Sequence, residues 1–149
     1  MRLFWCITAG AAFVSVLSAR LADAFLDHRI ALMGDFAGLQ YSLNPGIAWG
    51  MRLPAGIQEA AIGIALIVVV ILAHREAKQS ASLPPTPYPL ISYALITGGG
   101  LANIIDRMPD GVVTDYFQIG SFPIFNVADS CVTVGVALLL LTTMNLAKT

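Results

Sequence analysis

Two Asn/Asp pairs and one further Asp are the residues in this sequence whose types and spacing best suit chemistry. Asn103 and Asp106, and again Asn126 and Asp129, set an amide three residues ahead of a carboxylate, and Asp115 lies between the pairs. Where such a segment is helical, that spacing puts amide and acid on one face. All three acids flank a polar crossing between two apolar runs, one ending near Ile105 and the other starting near Val127. Runs that leave and re-enter a bilayer keep the crossing on one side, so Asp106, Asp115 and Asp129 share a depth. Ionisable groups at membrane depth are costly and rare, and they mark function by default, binding a cation or exchanging protons. The structural alternative is that they only cap helix ends and pair with Arg107. By topology alone, Asp129 pairs with Asp106 as readily as with Asp115.

Composition decides the class. Of 149 residues, 57% are hydrophobic and 11% charged, and the mean hydropathy is +0.78. That is too apolar for an ordinary soluble domain and reads as a small polytopic membrane protein. A formal net charge of −1 with no basic run gives no reason to expect nucleic acid as a partner. Cys6 and Cys131 fall in the first and last apolar runs, near opposite ends if both cross fully, which argues against a disulfide. Neither a CxxC pair nor an HExxH signature is present, and His28 and His74 stand alone, reading as surface residues rather than metal ligands. No metal site is expected.

The elements that must position the acids follow from hydropathy. A helix rises about 1.5 Å per residue, so roughly 20 residues cross a hydrocarbon core of about 30 Å. Runs at about 3–26, 57–73, 88–105 and 125–146 qualify, and the chain reads as one polytopic membrane domain. The first run has a rival reading as a cleaved leader, with Arg2 as the positive start, Leu3 to Leu17 as the apolar core and Ala22-Asp23-Ala24 as an A-x-A-like site. Leu39, Tyr41 and Leu43 alternate with Gln40 and Ser42, Asn44-Pro45-Gly46 supplies turn chemistry, and Ile47, Trp49 and Met51 resume the alternation. This pattern predicts a hairpin on the membrane surface with Tyr41 and Trp49 at the interface. Turn chemistry alone also accounts for Asn44 and Gly46.

Glu59 suits the first turn of the second span. His74 to Lys78 and the Ser/Pro stretch after it read as a flexible polar turn. Gly98, Gly99 and Gly100 weaken an isolated helix but let neighbouring backbones approach closely. Val112 to Phe117 reads as a further strand. Four spans put both termini on one side. With the N-terminus inside, Arg2, Arg75, Lys78 and Lys148 lie inside and Arg20, Arg29, Arg52 and Arg107 at the other face, so positive-inside counting does not orient the chain.

Taken together and in order, the motifs resemble those of lipoprotein signal peptidase, the type II signal peptidase of bacteria. Asn44, Gly46, Ala48, Trp49 and Gly50 match N-x-G-x-A-aromatic-small, and Gly98, Gly99, Asn103, Asp106 and Arg107 match G-G-x-x-x-N-x-x-D-R. Val112, Val113, Asp115 and Tyr116 correspond to a V-V-D-aromatic strand, while Phe125, Asn126, Ala128, Asp129 and Ser130 keep F-N-x-A-D-S intact. Departures accompany the match. Asp23 fills the acidic place of D-x-x-x-K, but its fourth neighbour is Asp27, leaving His28 or Arg29 as basic substitutes. Ala102 stands where Gly is usual, Thr114 where Val is, and Ile47 where a small residue is.

The resemblance implies a membrane α-helical fold, with four transmembrane helices and a small extracytoplasmic β-cradle drawn from 27–54 and 106–124. It implies an aspartic endopeptidase that cuts a lipidated prolipoprotein before its diacylglyceryl-modified Cys, with Asp115 and Asp129 as the dyad. Two neighbouring carboxyls suit amide hydrolysis because both cannot ionise easily: one polarises the carbonyl while the other takes a proton from water. Asp23, Asn103, Asp106, Arg107, Asn126 and Ala128 would then shape or brace the site, and Asn44, Gly46 and Ala48 would line the substrate groove. Membrane lipid and globomycin-type inhibitors are expected partners. The expected place is the bacterial inner membrane, with both termini cytoplasmic and the site outside. The competing readings are a small ion- or proton-translocating protein and an inactive scaffold relative.

Overall fold

The computed structural model describes residues 1–46, 54, 56–79 and 88–146. Four long helices, α1 (Arg2–Phe25), α2 (Ile57–Gln79), α3 (Tyr88–Arg107) and α4 (Val127–Leu146), are interleaved with three strands, β1 (Ile30–Met33), β2 (Ala37–Asn44) and β3 (Val113–Ile119). Each helix is long and apolar enough to cross a membrane, so the expected class, a helical membrane protein with a small antiparallel sheet, is the one observed. Helix α2 runs through His74, Arg75, Glu76 and Lys78, which the sequence reading assigned to a turn. Those residues are good helix formers, and they carry the helix beyond its apolar stretch. At the other end of α2, Glu59 reaches back to the Gly56 N–H at 2.8 Å, a capping contact.

Helix α3 is the centre of the bundle and packs against all three others, while α1 also touches α4. Its three glycines explain how. Successive helical residues point about 100° apart, and a Cβ on each would strike a different neighbour. At Gly98 it would lie 2.7 Å from the Thr8 carbonyl of α1, at Gly99 3.0 Å from Val132 Cγ2 of α4, and at Gly100 2.7 Å from Leu66 Cδ2 of α2. Close packing, the structural reading of these glycines, is what they do.

The sheet has the order β1-β2-β3, antiparallel throughout. It lies at the bundle end reached by the C-termini of α1 and α3 and left by the N-termini of α2 and α4. Only the first arm of the expected hairpin lies among the described residues. Strand β2 holds the first arm, but its partners are β1, joined through a turn with Gly34 at φ +52°, and β3. The second arm, including Ala48, Trp49 and Gly50, lies outside the described residues. Leu39 and Tyr41 pack with Ala19, Leu26 and Tyr116 against the end of α1, whereas Leu43 is 49% exposed. The pairing of β2 with β3 shifts between Leu39 and Ser42, and this irregularity breaks the simple alternation.

Beyond the shift, Ser42 stands opposite Asp115 and Asn44 opposite Val113. On the far side of β3, Phe117 and Phe125 exchange both backbone hydrogen bonds, at 2.7 and 3.1 Å. That bridge carries the chain from the strand directly into the first turn of α4.

Candidate active site

Asn126 is the N-cap of α4. Its Oδ1 accepts the Asp129 N–H at 2.9 Å, and Asp129 Oδ2 accepts the Asn126 N–H at 3.3 Å, a reciprocal capping box spanning four residues. The same Asn126 amide turns outward from the helix, and Nδ2 donates to Asp115 Oδ1 on β3 at 2.9 Å. One residue therefore bonds both carboxyls, Asp115 through its side chain and Asp129 through its backbone N–H. Asn103, on α3, donates to Asp129 Oδ1 at 2.9 Å and accepts from Asn126 Nδ2 at 3.2 Å. From β2, Asn44 Nδ2 donates to Asp115 Oδ2 at 2.9 Å.

The third acid has a different duty. Asp106 is buried, and its Oδ2 accepts the Thr114 N–H at 2.7 Å, fixing β3 to the end of α3. It makes no ion pair with Arg107, contrary to the structural alternative considered for it. Arg107 is buried too, and instead donates to the Gly46 carbonyl. Asn44 Oδ1 accepts the Gly46 N–H at 2.9 Å, so the turn after β2 is held from both sides. All three acids meet in one hydrogen-bonded knot, as their shared depth implied, and Asp106 is spoken for by a backbone amide.

Burial governs the electrostatics of Asp115, which is 1% exposed. Loss of hydration favours the neutral acid, and nearby Asp129 pushes the same way. The Asn44 and Asn126 amides and the Arg107 charge oppose this but do not cancel it, leaving the pKa of Asp115 raised to about 7.

Asp129 faces a groove of about 710 Å³ between α2, α3 and α4. Its walls are mostly apolar, with Ile62, Leu66 and Val69 from α2 and Val132 and Val134 from α4, while Asn44, Asn103, Arg107 and Asp129 form its polar end. Phe122 to Phe125 close that end from the loop before α4. Neither the α2 wall nor this loop was picked out from sequence; the aromatic and proline residues just ahead of Asn126 were the available signal. Asp23 lies elsewhere. It accepts the Tyr41 hydroxyl at 2.8 Å and lines a polar cleft with Asp27, His28 and Arg29. Neither basic substitute reaches it: His28 pairs with Asp27, and Arg29 bonds Gly34 and Gln118. Thr114 was passed over by the sequence reading as a mere replacement for Val, yet its N–H holds Asp106 and its carbonyl accepts from Asn126 at 3.4 Å. Ala128 is buried in the first turn of α4, where its carbonyl is among the atoms nearest Gly99.

Four apolar helices, with acids and amides gathered where they meet a small sheet, define a polytopic membrane protein with a polar, carboxyl-rich cluster at one end. Comparison with known proteins makes the class specific. Residues 6–145 match signal peptidase (SPase) II, and the chain belongs to that family of membrane peptidases. It is 38% identical to a lipoprotein signal peptidase of Chlorobaculum parvum over 128 residues, 76% of each chain. It is 32% identical to one of Chlorobaculum tepidum across 95% of this chain and 93% of that one, and 36% identical to one of Moorella thermoacetica across 74% and 70%. A bacterial membrane enzyme solved by the in meso method at 2.3 Å shares the fold, with a TM-score of 0.76 at 23% identity over 97% of this chain and 89% of that one.

Proposed function

We propose that this chain removes the signal peptide from diacylglyceryl-modified prolipoproteins, cutting before the lipidated Cys, with Asp115 and Asp129 sharing the acid–base work. The observation that carries the assignment is Asn126, whose amide bonds Asp115 while its cap fixes Asp129. Asp106, the other acid within reach, is occupied by the Thr114 amide. One proton shared by the pair leaves one carboxyl to polarise the scissile carbonyl and the other to accept a proton from water as its oxygen attacks carbon. That proton then passes to the leaving nitrogen as the C–N bond breaks. The proton belongs to the pair, and burial favours its resting on Asp115 before substrate binds. Asn103 and Asn126 hold the two carboxyls, Asn44 and Arg107 shape the turn beside them, and Gly46 lines the path of the substrate. The apolar groove suits a membrane-embedded signal segment, and globomycin-type inhibitors would compete for it. Lipid surrounds the helices. Asp23 supports the sheet through Tyr41 rather than the dyad.

The first helix is kept in the working protein under this reading, because it buries Phe4 against α3 and supplies Asp23 and Ser18 to the sheet. The protein sits in the inner membrane with both termini cytoplasmic and the sheet outside. In a detergent assay with a lipidated prolipoprotein, Asp115→Asn and Asp129→Asn each abolish cleavage while the purified variants keep the wild-type helical spectrum. Near-normal cleavage by either variant removes that acid from the assignment. Globomycin at saturation stops wild-type turnover; undiminished turnover argues against the groove as the substrate path.

A further inference from the structure

Tyr116 follows Asp115 on β3, so the two side chains leave opposite faces of the strand. The carboxyl meets the Asn44 and Asn126 amides, while the Tyr116 ring packs with Ala19 and Leu26 and is 5% exposed. From there its oxygen reaches two other elements. It donates to Ser18 Oγ on α1 at 2.6 Å and accepts the Val127 N–H at 3.3 Å. Ser18 in turn donates to the Ser15 carbonyl at 2.9 Å. Meanwhile the backbone N–H of Tyr116 donates to the Phe125 carbonyl at 3.0 Å. One residue thus grips the chain on both sides of Asn126, by backbone at 125 and by side chain at 127.

Val127 opens α4, and its amide is one of the helix-start donors with no partner inside the helix. A part-buried amide left without an acceptor is unfavourable, so the phenol oxygen adds to the Asn126 cap in fixing where the first turn of α4 rests. Burial also keeps the hydroxyl neutral, with its pKa raised above the ordinary tyrosine value, and a neutral hydroxyl both donates and accepts.

We propose that the Tyr116 hydroxyl is a positioning group for the reaction, tying the first amide of α4 to α1 and so setting the spacing of Asp115 and Asp129. The inference rests on the assignment of those two acids as the dyad. Phe at this place keeps the ring, its packing and the backbone bond to Phe125, and loses only the oxygen.

The test compares full-length Tyr116→Phe, Ser18→Ala and the double variant with wild type, on a lipidated prolipoprotein across pH, together with hydrogen exchange at the Val127 amide. Tyr116→Phe lowers kcat about tenfold at nearly unchanged KM, the effect of a small misplacement of catalytic groups. It also draws the acid and base limbs of the pH profile together, since carboxyls that drift apart influence each other less. Ser18→Ala acts in the same direction and more weakly, the double variant is no worse than Tyr116→Phe, and Val127 exchanges faster in Tyr116→Phe. Wild-type kcat with unmoved limbs overturns the proposal. So does a fall in kcat that merely tracks loss of folded protein. Retained cleavage by Asp115→Asn overturns the dyad reading, and this inference with it, even where Val127 exchange still quickens in Tyr116→Phe; the two failures are thereby told apart.

Discussion

Asp115 is held where its neutral form is favoured, and this makes the stability of the fold depend on pH. Its pKa moves from an ordinary 3.8 to about 7, burial first among the causes and the charge of Asp129 also contributing. An acid whose folded pKa lies above its unfolded one adds stability that is complete below the unfolded value and lost as pH rises through the folded one. Ionisation of Asp115 in the unfolded chain, while the folded chain keeps its proton, therefore destabilises the protein progressively between about pH 4 and pH 7. Asp115→Asn has no such charge to bury. Its unfolding free energy relative to wild type shifts in its favour between pH 4 and pH 8, by up to about 4 kcal/mol, whatever constant offset its altered hydrogen bonds introduce. Denaturation of both proteins across that range measures the shift, and parallel curves refute it. Because burial is the largest cause, Asp129→Asn lowers the pKa of Asp115 without returning it to 3.8, which carboxyl NMR resolves. Sequence could name all three acids but not rank them, because the rank depends on which carboxyl a backbone amide already occupies. Thr114 occupies Asp106, and nothing in the residue types announces that.

At the scale of elements, hydropathy and glycine placement carried most of the information. Four apolar runs became four helices, and the glycine triplet marked the one that touches all the others. Strand pairing was harder to read, because β2 is amphipathic enough to pair on either side and turn chemistry after Asn44 competes with the turn at Gly34. The real sheet draws its first strand from Ile30–Met33, whose side chains are all exposed and leave no periodic signal. The glycines also yield a graded prediction. A Cβ at Gly99 strikes the first turn of α4, beside Asp129, with Val132 and Cys131 at 3.0 and 3.1 Å. A Cβ at Gly100 meets only the flexible end of Leu66, and one at Gly63 meets nothing within 4 Å. Gly99→Ala therefore costs about 1–3 kcal/mol through forced movement of α4 and lowers turnover by loosening the Asn103 to Asp129 bond. Gly100→Ala costs less than about 1 kcal/mol, because a side chain rather than a backbone gives way. Gly63→Ala is neutral or stabilising by up to about 1 kcal/mol through helix propensity. Thermal unfolding in detergent and cleavage rates give the order, and equal effects at Gly99 and Gly63 defeat the packing argument.

The whole molecule places its chemistry at one end. Both chain crossings at the sheet end, from α1 to α2 and from α3 to α4, deliver strands to the same small sheet, and the acids hang between that sheet and the helix ends. Charge counting left the orientation open at four basic residues against four, and two of the sheet-end arginines serve the fold. Arg107 holds the Gly46 carbonyl and Arg29 ties the β1–β2 turn to Gln118 on β3. Arginines bound in this way are poor topology signals, and the proposed orientation rests on where a substrate cleaved after export must meet the enzyme. It can be read directly. In a background with Cys6 and Cys131 replaced by Ser, a cysteine at exposed Met108 marks the sheet end, and one at exposed Arg75 marks the opposite end. In intact spheroplasts a membrane-impermeant maleimide labels the Met108→Cys variant and spares the Arg75→Cys variant, which reacts only once the membrane is opened. The reverse pattern puts the acids on the cytoplasmic side, where no exported precursor could reach them.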